Sequence, residues 1–582
     1  VAIGYFYGWN VLRSMAIQFT ISVYAISTVV HFALQLIFAE LNRRKVESTA
    51  EHYELQNSPS DSIQNSLMLN IPNRSVIDID DQTHQIDDQT HQIDIKIMDN
   101  KIDDAKNADK YSISLAAKNE LSTIEEQSTE SYAIQVVGMN EDPVYFKQCL
   151  LHVKRIMQDR DCVKVIICID AYDESMLSIA KETFDLDEIN LQTPLQMMNL
   201  FDRNQVLNRI TKRVICIQQP HMGKRYAMYT ASWLIIQLGI KYVCHTDSDT
   251  LLDVNAIKYL KQSFRMNSNN DRDEIAAVTG LVKIFNISNW LSLIIDIKYW
   301  CAFNIERAAQ SYFGAVACIS GPLGLYRCSV LNTILDKWVN QSFCGYPTTF
   351  GDDRHLTNLI ISLGHKVAYN HKAICYTETP ITLMRWWAQQ ARWGRSFIRE
   401  YLIGLRWIYR SYWLAYDMTY LVFYSGFLFV FACIGLSNLN MNTLLLTCLT
   451  TIVASGCRAL YGLILTRDSK FMCFIIYGGV YFCWLLPLKV WSTVTMFITR
   501  WGTSPRIVKS SNYFDTWPVI LWCGYVIYGI VHACLNAKFE FASYTYISLI
   551  CLTLSIAYII YTSKKAILYR TQQRVFLDSR LE

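Results

Sequence analysis

The stretch KYVCHTDSD, residues 241–249, is a run of strand character that ends on two carboxylates, Asp247 and Asp249. In an extended chain, residues two apart point to the same face. Two acids so placed can share a hard cation, and such a cation neutralises a diphosphate as it departs. Asp-x-Asp also arises by chance on loops, so its weight comes from its surroundings. Four more β-rich runs flank it: 132–139 (YAIQVVGM), 163–170 (VKVIICID), 213–218 (RVICIQ) and 275–284 (IAAVTGLVKI). Helical stretches separate them, for example 145–158 and 224–238. This alternation predicts a soluble α/β domain over 131–380, with a mainly parallel, Rossmann-like sheet covered by helices. Ligands of such sheets bind outside the carboxyl ends of the strands, which is where Asp247 and Asp249 stand.

The rest of the chain has a different character. At 582 residues, 52% hydrophobic and with positive mean hydropathy, the chain reads as part membrane and part soluble. A net charge of +4 argues neither for nor against nucleic acid. The 18 cysteines hold no Cys-x-x-Cys pair and read as reduced, small apolar residues. The chain opens on Val1, so the lack of a signal peptide carries no weight. From Met15 to Ala39 there is no Asp, Glu, Lys or Arg, enough to cross about 30 Å of hydrocarbon at about 1.5 Å per residue. Arg43, Arg44 and Lys45 follow and mark the cytoplasmic side of an N-terminal membrane segment, 1–45.

Residues 46–130 are rich in Asp, Gln, Asn and Ser, and repeat Asp-Asp-Gln-Thr-His-Gln-Ile at 80–86 and 87–93. They read as a disordered insert too polar to bury a core; His84 and His91 are weak metal candidates there. Residues 381–410 mix Arg385, Arg392, Arg395, Arg399, Arg406 and Arg410 with Trp386, Trp387, Trp393 and Trp407. That pattern predicts helices lying in the membrane interface. In 411–570, four uncharged runs at 418–436, 439–457, 516–537 and 541–563 predict spans, and 471–488, broken by Gly478, Gly479 and Pro487, predicts a re-entrant or interfacial segment. Basic loops then fall on one side, with a cytoplasmic tail at 571–582. The sequons at Asn73, Asn286 and Asn340 fall on that side too and are expected to be unglycosylated.

Further residues carry candidate chemistry. Asp170 closes its strand run and either accepts a hydrogen bond from a base or ribose or caps the helix that follows. Gly223-Lys224-Arg225 opens a helix, where backbone amides and cations favour phosphate, as a solvated basic turn would equally explain. Gly351-Asp352-Asp353-Arg354-His355 sets two acids beside a base. Sugar transfer needs one carboxylate to take a proton, and adjacent acids raise one another's pKa while Arg354 opposes this; a charged helix start is the plainer account. Gln389 and Arg392 share a helix face; Arg392 offers planar donors for a diphosphate and Trp393 an apolar face for a sugar ring. Trp501-Gly502-Thr503-Ser504 is a mobile loop with hydroxyls, or an ordinary interfacial one.

In order along the chain, Asp170, Asp247-Ser248-Asp249, Ser320-Gly321-Pro322-Leu323-Gly324, Gly351-Asp352-Asp353-Arg354-His355, Gln389-Gln390-Ala391-Arg392-Trp393 and Trp501-Gly502-Thr503-Ser504 resemble the processive family-2 glycosyltransferases that make cellulose, chitin and hyaluronan. Phe303-Asn304-Ile305-Glu306-Arg307-Ala308, Gln310-Ser311-Tyr312-Phe313-Gly314 and Gly351 to Asn358 resemble the hyaluronan synthases more narrowly. The resemblance covers roughly 15–45 and 131–570. It implies a GT-A-type domain fused to a helical transmembrane domain, using Mg2+ or Mn2+ in a plasma membrane with the catalytic domain cytoplasmic. It implies UDP-GlcNAc and UDP-GlcA as substrates, a growing polysaccharide and the bilayer as partners, and no nucleic acid. Glu141 and Asp170 would line the uridine site and Lys224 would help hold the nucleotide. Asp247 and Asp249 would hold metal and diphosphate, with Asp249 the direct ligand. Ser320, Gly321 and Pro322 would lie near the acceptor, and Asp353 would be the general base. Gln389, Arg392 and Trp393 would bind diphosphate and acceptor sugar, and Trp501 and Thr503 would gate the site. Met139, Met222 and Pro505 depart from the family pattern and put sugar selectivity in question. The alternatives are a chitin-type synthase using UDP-GlcNAc alone and a non-catalytic membrane scaffold.

Overall fold

The computed structural model describes residues 2–56, 130–191, 210–265, 274–437, 441–499 and 513–536. The chain divides into two units, 1–50 with 132–582, and 51–131.

The sheet domain runs β1 (Tyr132–Gly138), α2 (Pro143–Ile156), β2 (Cys162–Ile169), α3 (Glu174–Thr183), β3 (Leu186–Asn190), β4 (Val214–Gln218), α4 (Lys224–Gln237), β5 (Tyr242–Asp247), β6 (Leu251–Leu252), α5 (Ala256–Ser263) and β7 (Ile275–Ile284). It continues with α6 (Trp290–Cys301), a π-helical turn (Ala302–Arg307), α7 (Ala308–Tyr312), β8 (Gly324–Arg327), α8 (Cys328–Val339), the hairpin of β9 (Ser342–Phe343) and β10 (Tyr346–Pro347), α9 (Asp352–Ser362) and β11 (Lys366–Thr377). Before it lies α1 (Ala2–Gln56). After it come α10 (Leu383–Gly404), α11 (Tyr412–Ser437), α12 (Met441–Thr466), α13 (Tyr477–Val480), α14 (Leu486–Val494) and α15 (Trp517–Asn536).

The nine-stranded sheet has the order β3-β4-β2-β1-β5-β8-β7-β11-β6. Strands β3, β4, β2, β1 and β5 are parallel, as is the β7–β11 pair. Strand β8 is antiparallel to both β5 and β7, and so joins the two parallel halves. Buried on both faces, β1 and β4 are nearly continuous apolar runs. All five strands expected from the sequence form. The sequence reading passed over β11, whose Asn370-His371-Lys372 interrupts its pattern; the register shifts there, between Asn370 and Ile374.

Among the described residues, four helices are long and apolar enough to cross a membrane: Val23–Glu51, Tyr412–Ser437, Thr447–Thr466 and Ser469–Val494. Three expectations need correction. The insert does not begin at residue 46, because α1 continues to Gln56. Val46 and Ala50 are buried, and Arg43 pairs with Glu40 and Glu47 along the helix. The remainder of the insert, with His84, His91 and Asn73, lies outside the described residues, as does the span expected at 541–563. Second, the span expected to stop at 457 runs on through Arg458, whose guanidinium pairs with Glu306 at 3.2 Å and lies over the Phe32 ring. Third, the Trp and Arg side chains of 381–410 are divided: Trp386, Trp387, Arg395 and Arg399 are buried in protein, whereas Arg385, Trp393, Arg406 and Arg410 are exposed. Trp386 is fully buried, Arg395 pairs with buried Asp515, Arg399 donates to the carbonyl of Ile498, and Trp407 donates to Asn358. The segment 469–494 is one helical run through a 3-10 stretch and a π turn, with Pro487 where the π turn passes into α14.

The described cysteines are unpaired and mostly buried, as expected of small apolar residues.

Candidate active site

Strand β5 delivers Asp247 to the carboxyl edge of the sheet, and a tight turn closed by Thr250 N–H to the Asp247 carbonyl brings in Ser248 and Asp249. The turn sits close on β1. A Cβ at Gly138 would stand 2.4 Å from Ser248 Oγ, so only glycine leaves room. Burial pushes Asp247 above the ordinary carboxylate range; Lys224 opposes this and Asp249 adds to it. The Lys224 ammonium lies 2.5 Å from Asp247 Oδ1. Lys224 is the first residue of α4, as the sequence indicated, behind Gly223 at φ +100°.

Asp170, just past β2, is buried and is not the helix cap; Asp173 caps α3 instead. Its carboxylate accepts from the amides of Met222 and Gly223 at 3.0 and 2.7 Å and from Gln219 Nε2 at 3.2 Å, with His221 Nδ1 at 2.9 Å. It therefore holds the loop that presents Lys224 to Asp247.

The loop Ser320–Pro322 is held by three threonines. Thr246 donates to the Pro322 carbonyl, Thr279 accepts from the Ser320 amide and donates to the Leu323 carbonyl, and Thr357 accepts from the Ile319 amide. The loop is thereby pinned over Asp247, 3.5 Å from where a Gly321 Cβ would be.

The adjacent acids Asp352 and Asp353 have different partners. Asp352 pairs with buried Arg225 at 2.7 Å, whereas Asp353 turns to the cavity and accepts from the Cys318 thiol at 3.3 Å. Helix α9, which carries them, is anchored by Glu400 of α10. That buried carboxylate accepts from Asn358 at 2.8 Å and Gln341 at 2.5 Å, and lies 3.0 Å from His355 Nδ1. Burial alone would raise the Glu400 pKa, but His355 and Asn358 hold it below the usual value.

On α10, Gln389, Arg392 and Trp393 face the same hollow. Gln389 Oε1 is buried without a protein partner among the described residues. Burial lowers the Arg392 pKa against the pull of Asp352 and Asp353. Trp393 is partly exposed, its ring 6.2 Å from that of Tyr299.

One cavity of ≈ 1680 Å³ is lined by Glu141, Asp170, Lys224, Asp247, Asp249, Ser320, Gly321, Pro322, Asp353, Gln389, Arg392 and Trp393 together. Trp501 and Thr503 lie outside the described residues. The same cavity is also lined by His31, Tyr424, Arg458, Tyr477, Tyr481 and Lys489 from the apolar helices. The sequence reading missed these. Their signals in the sequence are polar residues in or beside apolar runs: His31 within 15–39, Arg458 after 439–457 and Lys489 after 471–488.

A sequence model described as "Glycosyltransferase like family 2" matches residues 201–396. Hyaluronan synthase 1 of Xenopus laevis is 32% identical over 70% of this chain and 74% of its own length. Hyaluronan synthase 2 of Homo sapiens is 33% identical over 69% and 74%. The chain belongs to the hyaluronan synthase family. It is a glycosyltransferase of family 2, with the expected mainly parallel sheet and apolar helices. Hyaluronan synthase 3 of Mus musculus is 32% identical over 70% of this chain and 75% of its own. Among solved structures, a mannosyltransferase from Pyrobaculum calidifontis in complex with GDP-Man and Mn2+ matches with a TM-score of 0.37 and 13% identity, covering 66% of this chain and 96% of that one.

Proposed function

We propose that this hyaluronan synthase family member polymerises UDP-GlcNAc and UDP-GlcA into hyaluronan at the cytoplasmic face of the plasma membrane and passes the chain out between its own helices. One observation carries this reading: the cavity that holds the acids of the sheet edge is also lined by side chains of the apolar helices. A polymer built at Asp353 has a path toward the membrane without leaving the protein.

In this reading Glu141 and the loop held by Asp170 receive the uridine, while Lys224 and Arg392 balance the diphosphate charge. Asp353 takes the proton of the acceptor hydroxyl. The hydroxyl oxygen bonds to the anomeric carbon as the bond to UDP breaks, with inversion and no covalent enzyme intermediate. Trp393 stacks the acceptor sugar, the Ser320–Pro322 loop keeps that sugar beside Asp247, and Gln389 contributes its buried amide. Trp501 and Thr503 would close over the nucleotide.

Asp247 and Asp249 supply hard carboxylate oxygens two residues apart, a donor set that fits Mg2+ or Mn2+ once diphosphate oxygens join it. Such an ion would supply charge neutralisation to the departing UDP.

The test is synthesis by purified protein in lipid, with each UDP-sugar alone and with both, followed by digestion with a hyaluronan-specific lyase. Lyase-sensitive polymer only from the pair is expected. Polymer from UDP-GlcNAc alone would instead make this a chitin-type enzyme. Asp353→Asn separates enzyme from scaffold: turnover should fall about 100-fold or more, the usual worth of a positioned base, with UDP binding kept.

A further inference from the structure

The cavity wall carries cations from elements outside the sheet edge. Lys298 of α6, Arg458 of α12 and Lys489 of α14 line it near Glu306, whose carboxylate is in contact with Arg458 at 3.2 Å. Lys298 and Lys489 have no carboxylate partner among the described residues. The Lys298 ammonium rests on Gln390 Oε1 at 2.5 Å and near the Trp386 ring. Lys489 lies 5.3 Å from the centre of the Tyr481 ring. Two polar atoms at these neighbours are buried without a protein partner: Gln390 Nε2 and Tyr481 Oη. Buried polar groups in native proteins are nearly always satisfied, and two like charges left together in a hollow are costly unless something anionic joins them. Burial and then the nearby Lys489 push Lys298 down to about 7, with Glu306 opposing them in part.

We propose that Lys298 and Lys489, with Gln390 and Tyr481, form a carboxylate-binding subsite where the cavity leaves the transfer centre, and that it holds the uronate groups of an acidic polysaccharide. The proposal rests on the reading that this chain joins a uronic acid to an N-acetylhexosamine. It goes beyond that reading by assigning the selection of an acidic over a neutral product to these two lysines. Each carboxylate would take charge-assisted hydrogen bonds from an ammonium and from an amide or phenol beside it. The polymer is thereby held by its repeating charge rather than by one sugar's shape.

The experiment compares a hyaluronan octasaccharide with its carboxyl-reduced, neutral counterpart as ligands of the purified full-length protein in lipid nanodiscs. The wild type should bind the acidic form about tenfold more tightly, the worth of one good charge-assisted contact. Lys298→Gln with Lys489→Gln should bind both forms alike, and Lys298→Arg with Lys489→Arg should restore the preference. UDP affinity, read in the same samples, reports that each variant is folded. Equal binding of the two oligosaccharides by the wild type, or a preference that survives both Gln substitutions, overturns the subsite. Failure of the underlying reading looks different: the wild type would then make no lyase-sensitive polymer, whatever the oligosaccharides do.

Discussion

Glu400 touches no sugar in the proposed reaction, yet the placement of Asp353 depends on it. Its carboxylate gathers His355, Asn358 and Gln341 and so fixes α9 on α10. The folded-state pKa of Glu400 lies below its reference value of 4.5. A depressed carboxyl contributes stability above the unfolded pKa and loses it as pH falls through the folded one. The gap in thermal midpoint between wild type and Glu400→Gln should therefore be widest near neutral pH and shrink below about pH 4.5. A gap that does not change with pH would mean that charge plays no part in the anchor. Much of the site was legible at this scale because its acids lie at strand ends and helix starts, where spacing is informative. What was not legible was division of labour. The sequence shows two adjacent acids, and only the fold shows that Asp352 is consumed by Arg225 while Asp353 is left for the cavity.

Helices α9 and α10 meet at a contact that admits no side chain at Gly351. This residue sits at φ +88°, and a Cβ there would lie 2.2 Å from Ser396 Oγ. Gly351→Ala incurs both penalties, a left-handed backbone worth about 1–2 kcal/mol and a steric shift of α10. Turnover should fall more than nucleotide affinity, because Asp353 moves and the β5 edge does not. Ser396→Gly in the same chain should recover part of the loss; no recovery would place the damage in the backbone alone. The element scale is also where the sequence was incomplete. Arg and Trp along α10 carry the pattern of a membrane-surface helix, but a pattern cannot say which of them protein covers. Here Asp515, Thr495 and the Ile498 carbonyl receive Arg395 and Arg399, while Arg385 and Trp393 stay exposed.

At the scale of the whole molecule, α1 is a strut shared by sheet and helices. Its Gln35 donates to buried Asp417 of α11, which Gln310 also reaches, and its Asn42 lies against the Tyr369 carbonyl of β11. Gln35→Leu would leave Asp417 short of a donor in a dry setting, a loss of about 1–3 kcal/mol, read as a lower unfolding temperature of the protein in lipid. An unchanged temperature would mean Asp417 finds another donor. This coupling was invisible in sequence because Gln35 and Asp417 stand 382 positions apart, one inside an expected span and the other just before the start of another at 418.

The hollow that begins at the sheet edge and continues among the helices has a consequence for how product accumulates. If a nascent polymer stays threaded there between additions, it cannot be swapped for another molecule's. Enzyme started on isotopically heavy sugars and then flooded with light ones should yield strands with one junction between a heavy block and a light block. Isotopes scattered along every strand would mean that the polymer lets go.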